Sequence, residues 1–360
     1  MGLRVFTFAS INIDEVYSVP HIVRPGETIS STERQQNAGG KGANASVAAA
    51  RAGAEVHIAG LIGKDGLWVR DLLLQTGANV DHVRVLDDAS TGRAIIQVDE
   101  DGENAIFLFP GANRRLTKAD AQRAFAQCTK GDWLLLTNET TAVAEAIAHA
   151  HSLGMQVLWN PAPMNSRMMD AKELVDMVDV LVLNETELLE LAGQIKGVDA
   201  ETDSTKNHTG LARQIIAQVQ VRAIIVTLGS EGSVGLVRRA RVNSRSIVVS
   251  SETSSAEAST PSIASSGTGD DVVEIRMPCA PVPKDKIRDT TGAGDTWVGY
   301  FVAELARAQS ESPESIGSLA TLTPAMVKLA MKFATYASGL AVTKMGAIPS
   351  IPERQNVEAF

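Results

Sequence analysis

The chain has 360 residues, 44% of them hydrophobic and 21% charged, and a formal net charge of −9 at pH 7. An acidic chain has no general attraction for nucleic acid or anionic membrane, so any phosphate it binds must be held by local geometry. Cys128 and Cys279 form no CxxC pair, which excludes a disulfide framework and a cysteine-rich metal cluster. No apolar run reaches membrane-spanning length and the N-terminus lacks a signal pattern, so a cytoplasmic location is expected, with the nucleus also open.

In chain order, residues 4–10 read as a short buried strand, with Asn12 and Asp14 just past its end. The Ala-rich stretch 43–52 is a strong helix former that Gly53 can cap, followed by a strand at 56–61 and a helix at 67–76. Residues 94–98 and 105–109 flank the turn sequence 99–102 and predict an antiparallel hairpin. With the extended, Pro-containing segment 15–37, this region (91–110) predicts a small β lid beside the main sheet. Further on, 133–136, 157–159, 180–183 and 223–226 are continuous apolar strands between helical stretches such as 142–151 and 210–218. Short strands without alternation, separated by helices, predict a single α/β domain over 1–360. Its central sheet is mostly parallel and sandwiched by helices. One stretch, 238–283, departs from the pattern. Its middle, 250–268, is dominated by Ser and Thr and is expected to be a mobile insertion.

The strongest chemical signal is Asp289-Thr290-Thr291-Gly292-Ala293-Gly294-Asp295, followed by a helix with Trp297, Phe301 and Leu305 on one face. Glycines at a helix start leave N–H groups facing outward, where the helix dipole favours an anion. Asp295 in the first turn is placed to take a proton. A lone carboxylate there would more often only stabilise the dipole; the paired glycines favour the catalytic role. Ala38-Gly39-Gly40-Lys41-Gly42-Ala43-Asn44 opens the Ala-rich helix, and its glycines are expected to admit a ligand close to the backbone. It is neither a P-loop nor a GxGxxG dinucleotide loop. Asn12 and Asp14 suit a polyol, whose hydroxyls donate and accept. Asn184-Glu185-Thr186-Glu187, taken alone, reads better as a helix N-cap with acidic first-turn residues than as a binding motif. Thr227-Leu228-Gly229-Ser230-Glu231-Gly232 is either a nucleotide-phosphate loop or a plain glycine turn.

Together and in this order, these segments resemble the ribokinase/PfkB sugar-kinase family over nearly the whole chain outside the insertion. Segments 10–14, 102–113 and 160–163 are similar to those of its ribose-phosphorylating members. The resemblance implies phosphorylation of D-ribose at the 5-hydroxyl by ATP, with Asp295 as base and Gly292, Ala293 and Gly294 as anion hole. It implies sugar contacts from Asn12, Asp14, Gly39, Gly40, Lys41, Gly42, Asn44 and Glu139. ATP contacts would come from Asn184, Thr227, Leu228, Gly229, Ser230, Glu231, Gly232 and Gly294. Glu187 would help to hold Mg²⁺ through water. A monovalent cation, K⁺, would sit near Asp289 and Thr291, completed by Ala341, Lys344, Gly346 and Ser350. The resemblance also implies a homodimer through the lid. Glu139 lies in Thr137-Asn138-Glu139, where relatives often carry Gln-x-Glu. Kinases for fructose or a nucleoside share the catalytic end, and a non-catalytic sugar-binding regulator shares the fold. A dehydrogenase is disfavoured by the missing fingerprint.

Overall fold

The computed structural model describes residues 2–164, 171–199, 207–239, 271–312 and 322–360. Nine strands form the central sheet, in the order β13-β12-β11-β10-β9-β8-β1-β4-β5. These strands are β1 (Val5–Phe8), β4 (Val56–Gly63), β5 (Asn79–Leu86), β8 (Trp133–Thr137) and β9 (Gln156–Asn160), then β10 (Val180–Asn184), β11 (Ala223–Thr227), β12 (Ser233–Arg238) and β13 (Val272–Met277). From β5 to β11 every pairing is parallel, while β12 and β13 close the edge in antiparallel fashion.

Continuous apolar strands serve two cores because successive side chains point to opposite faces. Val5 and Ala9 enter one cluster, with α1 (Lys41–Arg51), α8 (Ala293–Ser310) and α9 (Pro324–Ala341). Phe6 and Phe8 enter the other, with α4 (Val143–Ser152), α6 (Glu185–Ala192) and α7 (His208–Gln218). Each buried aromatic stabilises the fold by about 1.5–3 kcal/mol.

The chain leaves β1 for β4 on one side and later for β8 on the other, so the crevice of the sheet opens beyond the C-terminal ends of β1 and β8. Helices α1 and α8 lie side by side over it. Gly299 makes this possible, since a Cβ there would stand 2.3 Å from the Ala45 carbonyl oxygen.

The lid is a second sheet, ordered β3-β2-β6-β7, from β2 (Asn12–Ser18), β3 (Glu33–Gly39), β6 (Gly92–Val98) and β7 (Asn104–Phe109). The expected hairpin is β6–β7. The lid begins at Asn12 rather than at 15, because β1 ends at Phe8 and the chain re-enters extended structure at once. β2 also pairs with β6 in parallel, a crossover that local patterning does not reveal. Glu15 anchors this sheet, accepting from Arg34, Gln36 and Arg93, and Arg93 reaches on to Asp65 at 2.7 Å.

The departure expected over 238–283 is narrower among the described residues. Val272–Met277 is a full strand, paired with β12 from Ser233↔Met277 to Arg238↔Val272. The Ser/Thr-rich stretch 250–268 lies outside the described residues.

Candidate active site

Both glycine-rich motifs end as helix N-termini at the crevice, but the two termini differ. At α1 the first-turn N–H groups are already used. Lys41 N–H donates to Glu139 Oε2 (2.9 Å), Gly42 N–H to Ser10 Oγ (3.0 Å) and Ala43 N–H to the Ser10 carbonyl (3.0 Å). Packing and backbone conformation require glycine at 39, 40 and 42. A Cβ at Gly39 would lie 2.0 Å from Asp14 Oδ2, and one at Gly42 would lie 2.5 Å from Ala9 Cα. Gly40 has φ 94°, a left-handed conformation that L side chains rarely adopt. The loop brings the side chains of Lys41 and Asn44 to Asp295.

At α8 the N-terminus is open. Gly292 caps it at φ 73°, and a Cβ on Gly294 would meet nothing within 4 Å. First-turn N–H groups have no carbonyl of a preceding turn to bond. Ala293 is the exception: its N–H donates to the Thr290 carbonyl at 3.2 Å, closing the turn. The Ala293 N–H of the expected anion hole is thus already engaged within the turn.

Asp295 is 7% exposed. Asn44 Nδ2 donates to its Oδ2 at 2.8 Å, and Lys41 Nζ stands 3.9 Å from its Oδ1. The Asp295 carboxylate is the main reason that the Lys41 ammonium is held above its usual range; burial opposes this, and Glu139 and Glu187 add to it. Asn44 Oδ1 is buried without a donor, an acceptor suited to a ligand hydroxyl.

Asn12 and Asp14, two apart on β2, share a face. Burial pushes the Asp14 carboxyl from 3.8 up to about 7, helped by repulsion from Glu139 and Asp295. That coupling places three carboxylates around one space. Glu139 comes from the turn after β8 and accepts from Ser10 Oγ at 2.6 Å; burial raises it, against the Ser10 hydrogen bond and the Lys41 charge. A cleft of about 620 Å³ starts at Asn12 and Glu139 and runs under Phe109 to Trp159 and Pro163.

The segment at Asn184 is a complete N-cap. Asn184 N–H and Nδ2 donate to Glu187 (2.9 and 3.0 Å), and Glu187 N–H donates back to Asn184 Oδ1 (2.8 Å). Both Glu187 carboxylate oxygens are thereby engaged, which fits action on a cation through water better than direct ligation. Burial raises the Glu187 carboxyl. Asn184 pairs with Thr227 across β10 and β11, so both stand at the C-terminal ends of neighbouring parallel strands. Beyond Thr227, Leu228–Gly232 makes a tight turn, with the Leu228 N–H donating to the Gly232 carbonyl at 2.8 Å. In that turn Gly229 and Ser230 face outward with Glu231.

The residues expected around a monovalent cation come together in part. Asp289 Oδ1 accepts from Thr291 N–H and Oδ2 from Gly346 N–H, both at 2.8 Å. Burial would raise this carboxyl, but these hydrogen bonds outweigh it and hold it below the usual range. Of the others, the Ala341 carbonyl accepts from Lys344 N–H (3.1 Å) in the turn ending α9, and Ser350 Oγ bonds back to the Ala347 carbonyl (2.7 Å).

Ser10 and Asn113, within the segments 10–14 and 102–113 that the resemblance names, and Gly92, which no motif singled out, stand beside Asn12 and Glu139. Each acts through partners about 30 to 130 residues away in the chain.

A lidded α/β sheet with an acid at an open helix N-terminus is the architecture of a phosphoryl-transferring sugar kinase, and the family comparison agrees. The pfkB family carbohydrate kinase model matches residues 3–251 and 259–354, and the chain belongs to this family. It is 32% identical over 365 residues to the ribokinase of Haemophilus influenzae, covering all of this chain and 99% of that one. Among solved structures it is similar to the ribokinase of Cryptococcus neoformans in complex with ADP, with 31% identity, a TM-score of 0.73 and 99% of each chain covered. Arabidopsis thaliana ribokinase complexed with ribose and ATP shares the fold at a TM-score of 0.75 and 24% identity, covering 100% of this chain and 98% of that one. No helix among the described residues is long and apolar enough to cross a membrane.

Proposed function

We propose that this chain is a ribokinase, transferring the γ-phosphoryl group of ATP to the 5-hydroxyl of D-ribose. The observation that carries the reading is Asp295, held by Asn44 and Lys41 at the open N-terminus of α8 and facing the Asp14 and Glu139 carboxylates. Asp295 Oδ1, away from Asn44, takes the proton of the sugar hydroxyl as its oxygen attacks phosphorus. The Gly292, Gly294 and Asp295 N–H groups, with Lys41, meet the charge on the transferring phosphoryl oxygens. In a loose transition state such positioning and electrostatics supply most of the acceleration. Asn12, Asp14 and Glu139 hold the sugar, and closure of the lid excludes water.

Asn184 and the 227–232 loop, at the C-terminal ends of β10 and β11, take the nucleotide. Mg²⁺ carried by the ATP phosphates supplies charge neutralisation, with Glu187 engaged through water. K⁺ would bind by Asp289, Thr291 and Gly346. The lid would join two copies of the chain: its edge strand β7 exposes Ile106, Phe107, Leu108 and Phe109 consecutively, at 45–59%. Sedimentation of Phe107→Lys as a monomer, against a dimeric parent, tests this. We place the enzyme in the cytoplasm.

A second reading, a kinase for a larger sugar or a nucleoside, draws on the 620 Å³ cleft, a volume in the range that suits ligands well above pentose size. One experiment separates the two: a panel of pentoses, hexoses and nucleosides with ATP, Mg²⁺ and K⁺, the phosphate position being identified in the product. Ribose 5-phosphate as the favoured product upholds the first reading, and preference for a nucleoside or fructose replaces it. ATP consumption with none of them removes both.

A further inference from the structure

Asn12 can face a ligand with either end of its amide, and the fold decides which. Asn113, 1% exposed, sits in the turn after β7 against the start of β2. Its Oδ1 accepts from the Ile11 N–H at 3.0 Å, and its Nδ2 donates to the Ile11 carbonyl at 3.2 Å. A backbone N–H can only donate and a carbonyl can only accept, so these two contacts fix the Asn113 amide without ambiguity. The second Nδ2 proton then goes to the Asn12 side chain at 2.7 Å, and the atom receiving it must be Oδ1. Asn12 Nδ2 is left for the cleft, which Asn12 lines. Gly92 closes the arrangement from the other side. A Cβ there would stand 2.2 Å from Asn12 Oδ1 and 2.3 Å from Asn113 Nδ2, so only glycine lets the two amides meet.

We infer that Asn113 is a positioning residue that fixes Asn12 as a hydrogen-bond donor to an oxygen of the sugar. The inference rests on the sugar-kinase reading. The pocket then reads two kinds of sugar atom: hydroxyl protons at the Asp14 and Glu139 carboxylates, and an oxygen lone pair at Asn12. A pocket built of carboxylates alone would bind hydroxyl donors in any pattern; the fixed donor requires an acceptor at one defined point.

The test is calorimetric titration of D-ribose into the full chain and into Asn12→Ala, Asn12→Asp, Asn113→Asp and Asn12→Ala/Asn113→Asp. Loss of one such hydrogen bond weakens binding about tenfold, which is expected for Asn12→Ala and for Asn113→Asp. The double variant should lose clearly less than the product of the two single losses, because the effect of Asn113 on the sugar runs mainly through Asn12. Asn12→Asp, which turns an acceptor toward the sugar, should be weaker than Asn12→Ala. Multiplying losses in the double variant would make Asn113 merely structural and overturn the inference. Parent-like affinity in Asn12→Asp would overturn it independently, even if Asn113→Asp failed to fold. If the parent binds none of the panel sugars, the sugar-kinase reading itself falls, and this inference with it.

Discussion

At the scale of single residues, Asp295 and Asp14 carry opposite demands. Asp295→Asn keeps an oxygen to accept from Asn44, so the protein should fold and bind ribose while turnover falls about 10²–10⁴-fold. Steady-state kinetics on the folded variant checks this, and near-parent kcat would remove Asp295 from the base role. Asp14 titrates near 7 in the ligand-free site. Sugar hydroxyls donate to its ionised form, so KM for ribose should rise as pH falls below about 7, by up to about tenfold per unit, while KM for ATP does not follow. The stability effect has its own sign. Asp14 is raised in the fold, so proton binding stabilises the ligand-free protein fully below its ordinary 3.8, and this is lost as pH rises to about 7. Profiles of KM at pH 6, 7 and 8 for the parent and Asp14→Asn test the first part; a flat parent profile would sink it. Asp295, Lys41 and Asn44 each stand in a compact motif, and the fold brings the three side chains together. Ser10 and Asn113 lie in segments that the resemblance names, but their partners 129 and 102 positions away leave no sign in the sequence.

Among the elements, the two glycine motifs look alike in sequence and do different work. The α1 motif spends its N–H groups on Ser10 and Glu139, and its glycines allow tight packing. At α8 the Ala293 N–H closes the turn on the Thr290 carbonyl, while the Gly294 position stands in open space. Composition alone could not separate them, because the difference lies in what the tertiary fold stacks against each helix end. The 289–292 turn is tied to the loop at 346 by Asp289 and packs on Ala347, where a Cβ on Gly292 would stand 2.9 Å from the Ala347 side chain. An ion ordering this pair of loops would order the anion-binding turn as well. K⁺ should therefore stimulate turnover by roughly fivefold or more. Equal rates when a large organic cation replaces K⁺ would exclude the coupling. Strand and helix alternation was readable throughout, whereas the parallel β2–β6 pairing was not, since register across a crossover leaves no local trace.

Across the whole molecule, residues 238–239 and 271–272 lie together. Arg238 pairs with Val272, and Arg239 N–H donates to the Asp271 carbonyl at 2.7 Å. Replacing residues 250–268 by a short Gly/Ser linker should leave kcat and KM for ATP within a few-fold, because the strand ends are already joined and loop length costs little. A collapse of kcat with the fold intact would show that the stretch helps to build the site. The lid has a different standing. Its strands β2 and β6 are neighbours, yet α1, β4 and β5, parts of the catalytic floor, lie between them in the chain. Lid and floor are thus interleaved and cannot be exchanged as cassettes. A new sugar preference has to be reached by point substitution at positions such as Asn12, Asp14 and Asn113, inside a scaffold that keeps its phosphoryl-transfer end.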